Sequence, residues 1–208
     1  MSYFFHFSDD RSLPPKENEW SRGINRAASI LHSAAEFRKQ VCSGSFPQRE
    51  IGRKDPKTPL CSTAYKYIFN ACRVPRREQD TYRLYDPSRY QHCVIACKGQ
   101  FFAFDFVDQD GEPLPLSTIE DRLYQCVEQA NKDSGSPKIG WCTSSDRDSW
   151  ADARKEILRV GGAEMNEALE KLESGALMIC LDDEVSVLCR KREFTTLLYL
   201  FFETHSFV

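Results

Sequence analysis

Along Ser21–Cys42, apolar residues recur at three- and four-residue intervals: Ile24, Ala27, Ala28, Leu31, Ala34, Ala35 and Val41. That spacing predicts a helix with one buried face, ended by Ser43 and Gly44. Before it, residues 1–20 open with Tyr3, Phe4, Phe5 and Phe7 and turn polar and proline-bearing, as a strand or buried extension leading into a loop would. Residues 45–59 are rich in charge, proline and glycine and read as a surface loop. Residues 63–71 predict a short helix with Tyr67, Ala71 and the side of Ala64 on one face, stopped by Pro75. After a charged stretch, residues 92–97 and 100–107 both have β-favouring composition, and Lys98-Gly99 between them suits a two-residue hairpin turn.

A second turn is expected at residues 108–111. Ser117 and Glu120 then have capping-box spacing, and Ile119, Leu123, Val127 and Ala130 continue a helical face. Residues 139–143 read as a buried strand, with Ser144, Ser145 or Asp146 as candidate N-caps of a helix carrying Trp150, Ala153, Ile157 and Leu158 inward. Another helix follows, with Met165, Ala168, Leu169 and Leu172 on its apolar face and Gly175 at its end; residues 177–181 return to strand. Strands that alternate with amphipathic helices predict a layered α/β architecture.

Composition agrees with a chain that buries a core: 41% of the 208 residues are hydrophobic, 12% aromatic and 28% charged. The formal net charge of -3 gives no broad attraction to nucleic acid or to an anionic membrane. The clusters Arg73/Arg76/Arg77 and Arg190/Lys191/Arg192 read as solvated surface. No apolar run approaches the ~20 residues that cross a bilayer. Nine cysteines without a C-x-x-C pair point to a reduced, intracellular setting. Cys93 and Cys97 lie four apart, but no matching Cys or His pair completes a tetrahedral metal set, so they read as small buried hydrophobes.

Four blocks carry a further signal: PLCSTAYKYIFNACRVP at 59–75, HCVIACKGQFFAFDF at 92–106, IGWCTSSDRDSWADARKEIL at 139–158 and ALMICLDD at 176–183. In this order and at these separations the chain resembles the carnitine/choline acyltransferase family, with an appearance nearest to fungal carnitine acetyltransferases. Ala34-Ala35-Glu36-Phe37-Arg38-Lys39 adds to the likeness. The resemblance implies a CoA-dependent acyltransferase-like fold, a mixed sheet flanked by helices, here as an incomplete domain. Residues 1–183 are expected to be part of the family's N-terminal domain, and residues 184–208 to be a tail unlike it. It also implies carnitine and acyl-CoA as substrates, CoA as cosubstrate with no tightly bound cofactor, and acyl exchange, of acetyl by the nearest likeness. The compartment implied is peroxisome, mitochondrion or cytosol.

The family's general base is a histidine in a Glu-His motif well downstream of the Cys-Leu-Asp-Asp strand. That motif is absent from residues 184–208, so no catalytic, cofactor-binding or metal-binding residue is assigned. His205, in Glu203-Thr204-His205-Ser206, is rejected because a terminal tail does not fix a base within reach of a substrate. His92 is expected to be structural, at the sheet edge; His6 and His32 have no partner in sequence that suggests a dyad. Cys142-Thr143-Ser144-Ser145 lacks a nucleophile-elbow setting, Asp182-Asp183-Glu184 reads as a solvated strand end, and Arg147 and Trp150 share a helix side as scaffold. The isolated chain is therefore expected to be inactive. A non-catalytic interaction protein that associates through exposed domain edges, and a truncated gene model, are the alternatives.

Overall fold

The computed structural model describes residues 21–53, 56–132, 145–181 and 198–199. Helix α1 (Ser21–Cys42) is followed by a short hairpin of β1 (Glu50–Ile51) and β2 (Thr58–Pro59), a 3-10 turn at Thr63–Tyr67, and a second hairpin of β3 (Ala71–Val74) and β4 (Thr81–Leu84). Next come β5 (His92–Cys97), β6 (Gln100–Asp105), α2 (Leu116–Lys132), α3 (Arg147–Glu173), β7 (Met178–Leu181) and β8 (Leu198–Tyr199). The principal sheet has the order β6-β5-β7-β8, with β5 and β7 parallel and the other pairs antiparallel. The expected mixed sheet flanked by helices is present.

The apolar periodicity of α1 and the alternation of β5 meet in one core. Ile24, Ala27, Ala28, Leu31 and Ala35 of α1 and Ile119, Leu123, Val127 and Ala130 of α2 pack with Cys93, Ile95, Cys97, Ile179 and Leu181 of the sheet. Alternate residues of a strand point to opposite faces, so these five belong to the face covered by α1 and α2. Val94 and Met178, paired in register, lie on the other face. Phe106, just past β6, is fully buried in the same core. No helix among the described residues is long and apolar enough to cross a membrane.

The β5–β6 hairpin forms as expected: Cys97 pairs with Gln100 around Lys98 (φ 50) and Gly99 (φ 78), the left-handed pair that matches strand twist in a two-residue turn. Asp146 is the N-cap of α3, its side chain accepting from the Ser149 amide at 3.0 Å. Two expectations are corrected and one strand is added. The helix over residues 63–71 is only the five-residue 3-10 turn, and Ala71 already belongs to β3. The charged stretch before residue 92 contains β4, whose Thr-Tyr-Arg-Leu alternates polar and apolar residues but is only four residues long, exposed throughout and set among charged neighbours. Helix α2 starts at Leu116, with the Ile119 amide bonded to the Pro115 carbonyl at 3.1 Å, which leaves Ser117 inside the first turn rather than capping it. The expected strand at residues 139–143 lies outside the described residues.

The two helices predicted after Asp146 are the two halves of α3, broken at Gly162 (φ 60, ψ -143). The break folds the second half back along the first, so that Arg154 bonds Glu173, 19 positions later, through Nε at 2.9 Å and Nη2 at 2.5 Å. Gly162 occupies backbone space that is essentially closed to residues with a Cβ. Gly162→Ala is expected to lower stability by roughly 1–3 kcal/mol, read as an earlier urea midpoint with an unchanged slope. An unshifted midpoint would show that the turn relaxes at no cost.

Candidate functional site

Four polar or charged side chains lie inside the described structure: Arg38, Asn70, His92 and Ser174. They come from α1, the residue before β3, the first position of β5 and the C-cap of α3. Arg38 lies three positions after Ala35 and seven after Leu31, on the apolar face of α1, and is only 4% exposed. A guanidinium carries five donors and cannot give up its charge, so burial obliges it to find acceptors. Its Nε donates to Asn70 Oδ1 at 3.1 Å, and its Nη2 donates to the carbonyls of Pro87 at 2.5 Å and Tyr90 at 3.0 Å. Burial pushes its pKa down from the usual value, opposed by the nearby Cys42 thiol.

Asn70, 1% exposed, uses both ends of its amide. While Oδ1 accepts from Arg38, Nδ2 donates to the carbonyls of Tyr90 and Ser174, each at 2.9 Å. Its backbone amide donates to the Ala176 carbonyl at 3.4 Å, and its carbonyl accepts from the Tyr85 amide at 2.8 Å. The residue sits at φ 51, in the left-handed region that asparagine tolerates better than most side chains. This conformation, held by five hydrogen bonds, turns the chain out of the 3-10 segment and into β3.

His92 is 2% exposed and opens β5, a central strand of the sheet, which corrects the expected place at a sheet edge while keeping the structural role. Its Nε2 lies 2.7 Å from the Lys171 carbonyl. A carbonyl only accepts, so Nε2 carries the proton and donates. Burial lowers the imidazole pKa, with the Lys171 charge acting in the same direction and its carbonyl opposing. The His92 carbonyl accepts from the Ala176 amide at 2.8 Å, tying β5 to the entry of β7.

Outside this hub, the last turns of α3 bind residues 83–90. Tyr85 Oη donates to Glu173 Oε2 at 3.1 Å, Tyr90 Oη donates to Glu170, and Arg83 adds an ion pair to Glu173 at 3.6 Å. Burial, first, and the Glu173 charge push the Tyr85 phenol up to about 12, against the opposing effect of Arg83. The Tyr85 and Tyr90 rings meet edge to face at 5.3 Å.

The arrangement binds segments together; it holds no reacting pair. His92 Nε2 is committed as a donor, which leaves the lone pair on Nδ1, and at 2% exposure the ring is closed to a substrate. Cys93 and Cys97 point into the core, and burial raises the Cys93 thiol and brings Cys126 up to about 11, so neither is a ready nucleophile. His32 is half-buried on α1, and Arg147, exposed, pairs with its neighbour Asp148 at 3.2 Å. Trp150 is half-buried on α3. No group of three His, Cys, Asp or Glu side chains among the described residues could hold a metal. His6, Cys142, Thr143, Ser144, Asp182, Asp183, Glu184 and His205 lie outside the described residues, while Ser145 is exposed just before the α3 cap. Sequence reasoning missed Arg38 and Asn70 as a pair; a cation on the apolar stripe of α1 is the signal that points to a buried acceptor.

Fold and hub together define a mixed α/β scaffold domain with a closed polar junction. The sequence profile of choline/carnitine O-acyltransferases matches residues 1–203, a span that includes part of the segment expected to be unlike the family, and the chain belongs to that family. It is 32% identical over 197 residues to carnitine O-palmitoyltransferase 2, mitochondrial, of Xenopus tropicalis, covering 82% of this chain and 29% of that protein. Identity to the carnitine O-acetyltransferase of Columba livia is 27% over 183 residues, covering 85% of this chain and 28% of that protein. A highly reducing polyketide synthase of Alternaria alternata is 31% identical over 159 residues, 76% of this chain and 5% of that protein. The chain thus spans less than a third of the length of each of these relatives.

Two outcomes follow from the hub. Arg38→Met strips the donors from Asn70 Oδ1 and the Pro87 carbonyl; at about 1–3 kcal/mol for each buried group left unsatisfied, the loss should be roughly 2–6 kcal/mol. Asn70→Ala should cost a similar amount, and the double variant less than the sum; strict additivity of urea midpoints would disprove the coupling. For His92 the folded-state pKa is depressed, so the unfolded chain takes up the proton first as pH falls. Its contribution is complete above about pH 6.5 and declines below it. His92→Gln, which keeps an amide donor for the Lys171 carbonyl, should flatten the fall in stability between pH 7 and 5, and an unchanged slope in urea unfolding would count against this assignment.

Proposed function

We propose that this chain is an N-terminal domain portion of an enzyme that exchanges acyl groups between CoA and carnitine. The observation that carries the reading is the family match over residues 1–203, supported by the relatives' names. Residues 1–183 carry the frame of the domain in this reading, and the segment 184–208 adds the short strand β8. Carnitine and acyl-CoA are the substrates, and CoA is a cosubstrate rather than a resident cofactor. Acetyl was the group favoured by residue likeness, and the pigeon acetyltransferase supports it at 27% identity; the palmitoyltransferases, at 31–33%, support a long-chain group better. The mitochondrial description of the latter favours the mitochondrion among the family's compartments.

Residues 1–208 by themselves are proposed to be inactive, with no residue assigned as base, nucleophile or ligand. Acyl transfer needs a histidine or comparable group with a free lone pair facing the substrate hydroxyl, and His92, 2% exposed, is out of a substrate's reach. The purified chain, supplied with carnitine and either acetyl-CoA or palmitoyl-CoA, should release no thiol above a heat-treated control; clear turnover refutes the proposal. Transplanted into the matching stretch of the Xenopus palmitoyltransferase, residues 21–181 should preserve carnitine-dependent thiol release. A folded but inactive chimera would argue against the family function.

A second reading, association without catalysis, is favoured by one observation. The β3–β4 hairpin presents Tyr82 and Leu84 at 52% and 54% exposure beside Tyr67, whose ring lies 5.4 Å from that of Tyr82. An apolar face of this kind on an edge strand promotes pairing with another chain. Under this reading the wild-type chain sediments as a dimer or larger species at micromolar concentration and Leu84→Lys as a monomer. A monomeric wild type removes it.

A further inference from the structure

We draw no further inference here: the strongest candidate, the thiol cluster formed in the core by Cys93 and Cys97 of β5 and Cys126 of α2, carries nothing, because burial holds Cys93 and Cys126 protonated and no metal-binding set gathers among the described residues.

Discussion

The fold turns on one buried cation and the amide that receives it. Arg38 enters the interior on the apolar face of α1, and removing a charge from water is costly unless donors and acceptors match. The match is assembled from chain segments far apart: Asn70, 32 positions on, and the carbonyls of Pro87 and Tyr90. Asn70 then reaches Ser174, 104 positions away. Four segments therefore meet at one point, and none can leave without stranding polar groups of the others. A network of this kind is all-or-none: it specifies one arrangement when complete and opposes folding when partly made.

From that point the sheet follows. Asn70 fixes the exit of α3 through the Ser174 carbonyl, and the next residues return to β5 through Ala176 to His92 at 2.8 Å and Val94 to Leu177 at 2.9 Å. These bonds set the parallel register in which Val94 faces Met178. The Arg154–Glu173 pair, with Tyr85 as a further donor, holds the folded-back halves of α3 against residues 83–90. It is largely shielded, whereas pairs such as Arg159–Glu156 and Arg77–Asp152 are open to water and contribute little.

What the sequence makes legible is what local patterns encode. The α1 stripe, the Lys98-Gly99 turn, the Asp146 cap and the division of α3 all rest on residues within a few positions of each other. The lost features depend on distance or on exposure. Residues 63–71 have helical spacing, yet Asn70 takes a left-handed conformation because Arg38, Tyr90 and Ser174 hold it, and tertiary bonds override local preference there. Strand β4 alternates as Thr-Tyr-Arg-Leu, but four residues in a charged stretch are too short a run for periodicity to single out. The hub itself is half-legible: a lone arginine on an apolar stripe announces a buried partner, but nothing local says that the partner is Asn70.

The same hub bears on catalysis. A structural histidine and a catalytic base make opposite demands of one ring. The first is stabilised by burial and tolerates a depressed pKa, both of which His92 has, while a committed donor at Nε2 is compatible with either role. The second needs a free lone pair directed at a substrate proton and titration near the working pH. Giving His92 the second role would require bringing a substrate to its Nδ1 lone pair, and so opening the buried junction that fixes β5 and β7. Acid–base chemistry on this scaffold is therefore best carried by a group outside the hub, leaving the hub to set the positions of the strands and helices around it.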